Sequence, residues 1–417
     1  MRKAVDYLPR RATSLIQEAL SDTRVVVLNG ARQVGKSTLA EIVLRQAPDG
    51  IARYLDEPAT REAALEDPVR FVRHDGLMLI DEIQRAPELW LAIKHQVDRD
   101  PRPGSFLLTG SARLLALRGV TDALPGRTET TELWPLSQGE IDGEPDGFVD
   151  AAFRLGAELT AESSPLLRKD YVSKAVRGGY PEAVRREAPR RRARFFDSYL
   201  SDLLARDVKQ VADISRATEM RRLIALLAAQ TSGLLNVNRL ASELAVTAPT
   251  VKTYIEILET IFLVRRIPGW SANLTTRAVS TPKIIFVDSG LAAHLATGAL
   301  ASSPVGNLLE NLALSEIARQ LTWSETPVRL SHYRDRDQHE VDGVLEDNAG
   351  QIVGVEVKAA ETARAEDFRG LKVLERRLGD RFRAGFVLYC GAQSLRFGEK
   401  LGCLPISALW TTPRPNQ

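Results

Sequence analysis

Three residues toward the C-terminal end have the types and spacing for phosphate chemistry: Asp342 in HEVDG, then Glu356 and Lys358 in VGVEVKAA. Period-two alternation turns Val353, Val355 and Val357 to one side of a strand and Glu356 and Lys358 to the other. The run EDNAG between the two stretches predicts a hairpin that brings Asp342 against Glu356. Two converging carboxylates can hold a hard cation by oxygen; for magnesium, phosphate and water complete the shell. Lys358 beside them can orient a nucleophilic water or stabilise developing charge. Upstream, VGNLLENLALSEIARQL reads as a helix with Leu308, Leu309, Leu312 and Ile317 inward. Glu310 is its candidate acid and Glu316 the alternate. The plain alternative is a half-exposed hairpin with one charged face.

A second set of residues points to nucleotide chemistry. In RVVVLNGARQVGKSTLAEIVL an apolar run precedes Gly30-x-x-x-x-Gly35-Lys36-Ser37, and a helical pattern follows. The loop Gly30, Ala31, Arg32, Gln33, Val34, Gly35, Lys36, Ser37 and Thr38 is expected to wrap the phosphates of ATP. Lys36 should reach the β- and γ-phosphates and Ser37 should ligate Mg2+. The run LMLID ends in Asp81, placed to hold the magnesium water shell, and Glu82 can polarise the attacking water. SFLLTGSARLL offers Thr109 and Ser111 beside the γ-phosphate, and LPGRTETTELWPL puts Arg127 before a further strand. This order of parts resembles an AAA+ ATPase. The resemblance implies that Thr109 or Ser111 is a polar sensor. It also implies that Arg127 is an arginine finger reaching into a neighbouring subunit, hence a homo-oligomeric ring, possibly a hexamer. A solvated surface arginine is the alternative.

The elements that must position these groups follow from pattern. Gly179-Tyr180-Pro181 in RGGYPEA resembles the lid motif of signalling-type ATPases, in which the proline, here Pro181, packs on adenine; a simple turn is the alternative. Six arginines between Arg185 and Arg194 form either a solvated helix face or a phosphate-binding stripe. In NVNRLASELAVTAPTVKTYIEILETIFLVRRI, Leu240 and Leu244 mark a short helix, Thr247 can cap the next, and Val251, Tyr254, Ile255 and Leu258 make one apolar stripe. With FLVRRI and PKIIFVD as a pairing ribbon, the stretch reads as a winged helix, a shape suited either to DNA docking or to internal packing.

The chain as a whole has 417 residues, 44% hydrophobic and 26% charged, with a net charge of +2, so a basic surface must be local. Cys390 and Cys403 make no disulfide framework. The start MRKAVDYLPRRATSL lacks an apolar signal core, and no run approaches a membrane span, so a soluble, cytoplasmic protein is expected. The expected class is α/β, divided as an AAA+ P-loop core over 1–142, a helical lid over 143–232, a winged helix over 233–300 and a C-terminal domain over 301–417. GARQVGKST, LMLIDEIQ, LTGSARLL, LPGRTE, RGGYPEA, IIFVDSGL, VGNLLEN, HEVDG, VEVKA and LPISALW together resemble a family of bacterial and archaeal AAA+ ATPases. In that family the ATPase joins a C-terminal domain of unknown function that ends in a PD-(D/E)xK, restriction-endonuclease-like fold. The resemblance implies a DNA-acting ATPase whose C-terminal domain binds or cleaves DNA with Asp342 and Glu356 as metal ligands. The alternative is a slow ATP-dependent conformational switch whose C-terminal domain is a non-catalytic binding module.

Overall fold

A computed structural model describes residues 7–110, 124–208, 217–272, 280–296 and 305–414. Ser111 lies outside them. The chain forms two compact units. The first is Met1–Pro135 with Ser201–Asp213 and Thr260–Phe262; the second is Leu136–Leu200, Ile214–Glu259 and Leu263–Gln417. The boundaries expected at 232 and 300 both fall inside the second unit. No helix among the described residues is long and apolar enough to cross a membrane.

The first unit is built on strands β1 (Val25–Gly30), β2 (Ile51–Tyr54), β3 (Met78–Asp81), β4 (Phe106–Gly110) and β5 (Thr128–Leu133). All pair in parallel, in the order β2-β3-β4-β1-β5. A parallel sheet is covered on both faces, which is why β1 could be read from an unbroken apolar run: every one of its residues is buried. Val25, Val27, Ile80 and Leu108 share a core with Trp90, Ile93 and Val97 of the helix Leu89–Arg99. Because β4 lies between β1 and β3, three neighbouring strand tips carry the phosphate loop, Thr109 and the Asp81-Glu82 pair.

In the second unit, strands β6 (Val264–Ile267) and β7 (Lys283–Phe286) form an antiparallel ribbon. A six-stranded mixed sheet follows, from β8 (Val328–Arg334), β9 (Glu340–Asp347), β10 (Ile352–Lys358), β11 (Phe382–Tyr389), β12 (Leu395–Arg396) and β13 (Leu401–Pro405). Its order is β12-β13-β11-β10-β9-β8. β8, β9 and β10 run antiparallel through short turns; β10 and β11 are parallel, and the helix Arg369–Leu378 makes the crossover that parallel strands require. One face of the sheet packs Val353, Val355 and Phe386 against Phe148, Leu309, Leu312 and Trp410. The other packs Val341, Val344, Ile352 and Phe382 against Phe368, Leu371 and Leu374. The helix Phe148–Leu155 belongs to the first of these cores, with Phe148 edge-on to Phe386 at 6.0 Å.

The helical region ahead of the sheet contains Val237–Leu244 and Ala248–Thr260. Ala245 turns between them at φ 55°, Thr247 Oγ accepts the Thr250 N–H at 3.3 Å, and Val251, Tyr254, Ile255 and Leu258 face inward. The long helix Val305–Gln320 is unusual in burying polar as well as apolar residues. Asn311 is fully buried: its Oδ1 accepts from Phe286 N–H at 2.8 Å and Thr231 Oγ at 2.6 Å, and its Nδ2 donates to Phe286 O at 3.1 Å. Gln320 accepts from Val149 N–H at 3.1 Å and donates to Leu409 O.

Candidate functional site

The phosphate loop departs from β1 at Gly30, whose φ of +149° favours glycine and whose added Cβ would lie 2.2 Å from the Leu133 carbonyl oxygen on β5. Gly35, at φ +98°, caps the helix Lys36–Leu44, so the loop ends on a helix N-terminus with its backbone N–H groups unspent by the helix. Gln33, at φ 61°, is exposed at the loop crest, while Ala31 and Val34 are buried beneath it. Arg10 braces the loop from outside by donating to Val34 O at 2.8 Å and Trp134 O at 2.6 Å. Lys36 Nζ is turned onto the loop itself, donating to Gly30 O at 3.1 Å and Ala31 O at 2.8 Å.

Across from it, Ser37 Oγ donates to Asp81 at 2.8 Å. Thr109 Oγ donates to the same carboxylate and accepts the Glu82 N–H at 3.1 Å. That last bond holds Glu82 in a left-handed conformation, φ 59° and ψ 46°, which a non-glycine residue adopts at a cost of roughly 1–2 kcal/mol. Gln84 Nε2 donates to Glu82 Oε2. Ser37, Asp81, Thr109 and Glu82 are therefore one connected polar cluster at the tips of β3 and β4. Arg127 stands apart, its guanidinium paired with Asp98 on the helix Leu89–Arg99 and bonded to Pro125 O.

In the second unit Pro181 is the first residue of the short helix Pro181–Val184. Its neighbours are firmly held: Gly179 N–H donates to Asp288 at 2.6 Å, and the Tyr180 and Tyr199 hydroxyls meet at 2.8 Å. Asp288 also caps the helix Ser289–Leu295 through Leu291 N–H at 2.8 Å. It is completely buried, and burial holds its pKa above the usual carboxylate value against these bonds. The sequence reading missed Asp288, although an Asp closing an apolar strand is a common cap signal. Of the arginine run, Arg185 and Arg186 pair with Glu182, and Arg190, Arg191 and Arg194 are exposed.

The C-terminal acids come together as the alternation and hairpin predicted. The ladder of β9 and β10 ends with Val355 opposite Gly343, and Glu356 and Asp342 are the next residues on the two strands. Asp342 Oδ2 accepts the Val357 N–H at 2.9 Å, and Lys358 Nζ lies 2.7 Å from Glu356 Oε1. Glu310 reaches the same place from the helix Val305–Gln320. Glu316, the alternate, does not: it pairs with Arg319 and accepts the Gln138 N–H at 3.1 Å, because six residues along a helix carry a side chain to a different face.

A fifth group was not anticipated. Lys283, the first residue of β7, sends its Nζ to within 2.6 Å of Glu310 Oε1 and 2.7 Å of Asp342 Oδ1, with its side chain 6% exposed. The one available sequence signal was a lysine opening an otherwise apolar strand in PKIIFVD. Burial alone would lower the Lys283 pKa, but Asp342 and Glu310 outweigh it and raise the value, so the ammonium is charged. Burial, and then the charge of Asp342, push Glu356 up to about 8 and hold Glu310 well above the usual carboxylate range. Glu356 Oε2 is buried and has no hydrogen-bond partner among the described residues.

Family models match three successive parts of the chain. A family model described as an AAA domain matches residues 22–142. Two models described as domains of unknown function, DUF8612 and DUF4143, match residues 168–302 and 305–409. Among solved structures, a Walker-type ATPase of Pyrococcus abyssi is similar with a TM-score of 0.42 at 15% identity, over 70% of this chain and 96% of that one. AMPPCP-bound DnaA from Aquifex aeolicus gives 0.32 at 16% identity, over 61% and 89%. The uncharacterized protein Rv2008c of Mycobacterium tuberculosis is 30% identical over 360 residues, 85% of this chain and 74% of that protein, and Mb2031c of Mycobacterium bovis matches to the same extent. The first unit thus carries an AAA-type, P-loop ATPase domain, and the chain belongs to the family of these mycobacterial proteins.

Proposed function

We propose that the protein is a magnesium-dependent ATPase whose nucleotide cycle drives a change of state in the rest of the chain. The observation that carries this reading is the cluster Ser37–Asp81–Thr109–Glu82, which faces the phosphate loop with its two hydroxyls, the Asp81 carboxylate and the Glu82 N–H already linked. The donor set suits Mg2+: Ser37 Oγ and Asp81 would hold it, and the bound ion would neutralise charge on the β- and γ-phosphates. Lys36 exchanges the Gly30 and Ala31 carbonyls for phosphate oxygens as ATP enters. Glu82 orients the attacking water. For Arg127 to serve a neighbouring subunit in a ring it must first release Asp98. Steady-state turnover and nucleotide binding of Lys36→Ala and Glu82→Gln test the reading. Loss of binding in the first, with retained binding but lost turnover in the second, is expected; full turnover in Glu82→Gln refutes it.

A second reading, action on DNA, is favoured by Arg190, Arg191 and Arg194, which project from one exposed stretch of the helix Pro189–Asp202. Phosphate contacts by such a face lose affinity steeply with salt. DNA binding with that salt dependence, weakened in Arg190→Ala/Arg191→Ala/Arg194→Ala, supports it; turnover and binding indifferent to DNA return the protein to a switch without nucleic acid.

A further inference from the structure

Whether the C-terminal acids hold a metal is decided by what already lies between them. Asp342 has both oxygens engaged, Oδ1 by Lys283 and Oδ2 by the Val357 N–H. Glu310 Oε1 is engaged by the same ammonium. Glu356 Oε1 is taken by Lys358, which leaves its Oε2 as the one oxygen of the two strand acids without a hydrogen-bond partner among the described residues. A divalent ion bridging Glu310 and Asp342 would share their oxygens with a buried ammonium within bonding distance of both, and the two cations would repel at close range in a largely buried site. Lys283 has little room to turn away. It is 5% exposed as a whole residue, and its backbone is fixed on both sides, by the β6 ladder opposite Ile267 and by a bridge to Leu234. Removing its partners would leave a buried, unpaired charge.

We propose that Lys283 is the resident cation of this centre: its ammonium fills the position between the helix acid and the strand acid, so the centre takes no divalent metal and instead latches the β6–β7 ribbon to the C-terminal sheet. A residue from the region before residue 302 thereby completes a site whose acids all come after residue 305. Metal-dependent cleavage of a phosphodiester is then not a property of this centre. The centre lies wholly in the second unit and stands or falls apart from ATP hydrolysis.

Two measurements test this on the full chain without nucleotide. In the first, Mn2+ binding is followed by electron paramagnetic resonance. Ser37 with Asp81, and the surface group Asp335, Asp337 and His339, are other places an ion could bind, so Asp342→Asn serves as the reference. Wild type and Asp342→Asn should bind the same number of ions, while Lys283→Ala should gain one that the double variant Lys283→Ala/Asp342→Asn loses. An ion bound by wild type and lost in Asp342→Asn overturns the proposal. The second needs no variant: amine acetylation of the wild type, read by mass spectrometry. Lys283 should stay unmodified with or without millimolar Mg2+. Modification that appears when Mg2+ is added shows the ammonium displaced by metal and overturns the proposal even if the variants fail to fold.

Discussion

Thr109→Val isolates the hydroxyl that joins the two acids of the nucleotide site. Valine has nearly the shape of this fully buried threonine but lacks its hydroxyl, so the change is chemical rather than steric. Two hydrogen bonds go: the one donated to Asp81 and the one accepted from Glu82 N–H. A bond to a charged partner contributes about 1.5–3 kcal/mol, and a buried donor left unmet costs about 1–3 kcal/mol. The backbone of Glu82 has a left-handed strain of roughly 1–2 kcal/mol to relieve once that bond is gone. Its carboxylate therefore drifts from the line of attack. If about 2–3 kcal/mol of this is felt at the transition state, kcat falls roughly 30- to 150-fold. Among the described residues the Thr109 hydroxyl bonds Asp81 and Glu82 and not the phosphate loop, so affinity for ATP should change by less than about threefold, or under about 0.7 kcal/mol. A coupled turnover assay beside equilibrium binding of a fluorescent ATP analogue reads both. Unchanged kcat would refute the positioning argument, and so would a loss of affinity equal to the loss of turnover.

Other perturbations probe other parts. Arg127→Ala should abolish turnover while sparing ATP binding if the arginine serves a neighbouring subunit; turnover that survives assigns Arg127 to its surface pair with Asp98. Asn311→Leu strands Phe286 N–H, Phe286 O and the Thr231 hydroxyl, and should destabilise the second unit by about 3–6 kcal/mol in urea unfolding. His332 is buried, with Nε2 donating to Thr281 O at 3.0 Å and Nδ1 unpartnered among the described residues, and burial lowers its pKa to about 4. The unfolded chain takes up this proton near pH 6.5 and the folded chain only near 4, so the contribution is whole above 6.5 and is lost as pH falls through that window, by at most about 3 kcal/mol. His332→Gln should flatten the midpoint-versus-pH curve there.

The sequence was most legible where function demands a fixed order of short-range features. The phosphate loop could be read because strand, glycines, lysine, serine and helix must follow one another within a few residues. Asp342, Glu356 and Lys358 were readable for a related reason, since alternation and a short hairpin determine which side chains meet. Lys283 was not: it is separated by 27 residues from Glu310 and by 59 from Asp342, and no local pattern encodes a contact closed by tertiary packing. Choosing between Glu310 and Glu316 required the helix face, which the leucines alone did not specify because this helix is buried nearly all round.

The helix Val305–Gln320 behaves like the keystone of the second unit. Glu310, Asn311 and Arg319 bond to β7 and the residue after it, at Lys283, Phe286 and Val287; Asn311 also bonds Thr231, Glu316 bonds Gln138, and Gln320 bonds Val149 and Leu409. Polar groups of this kind are tolerated in an interior only when all their partners have arrived. No half of the unit can then be finished ahead of the other. Assembly must be close to all-or-none, and a protease that cuts away the ribbon or the N-terminal helices of this unit leaves no stable remainder.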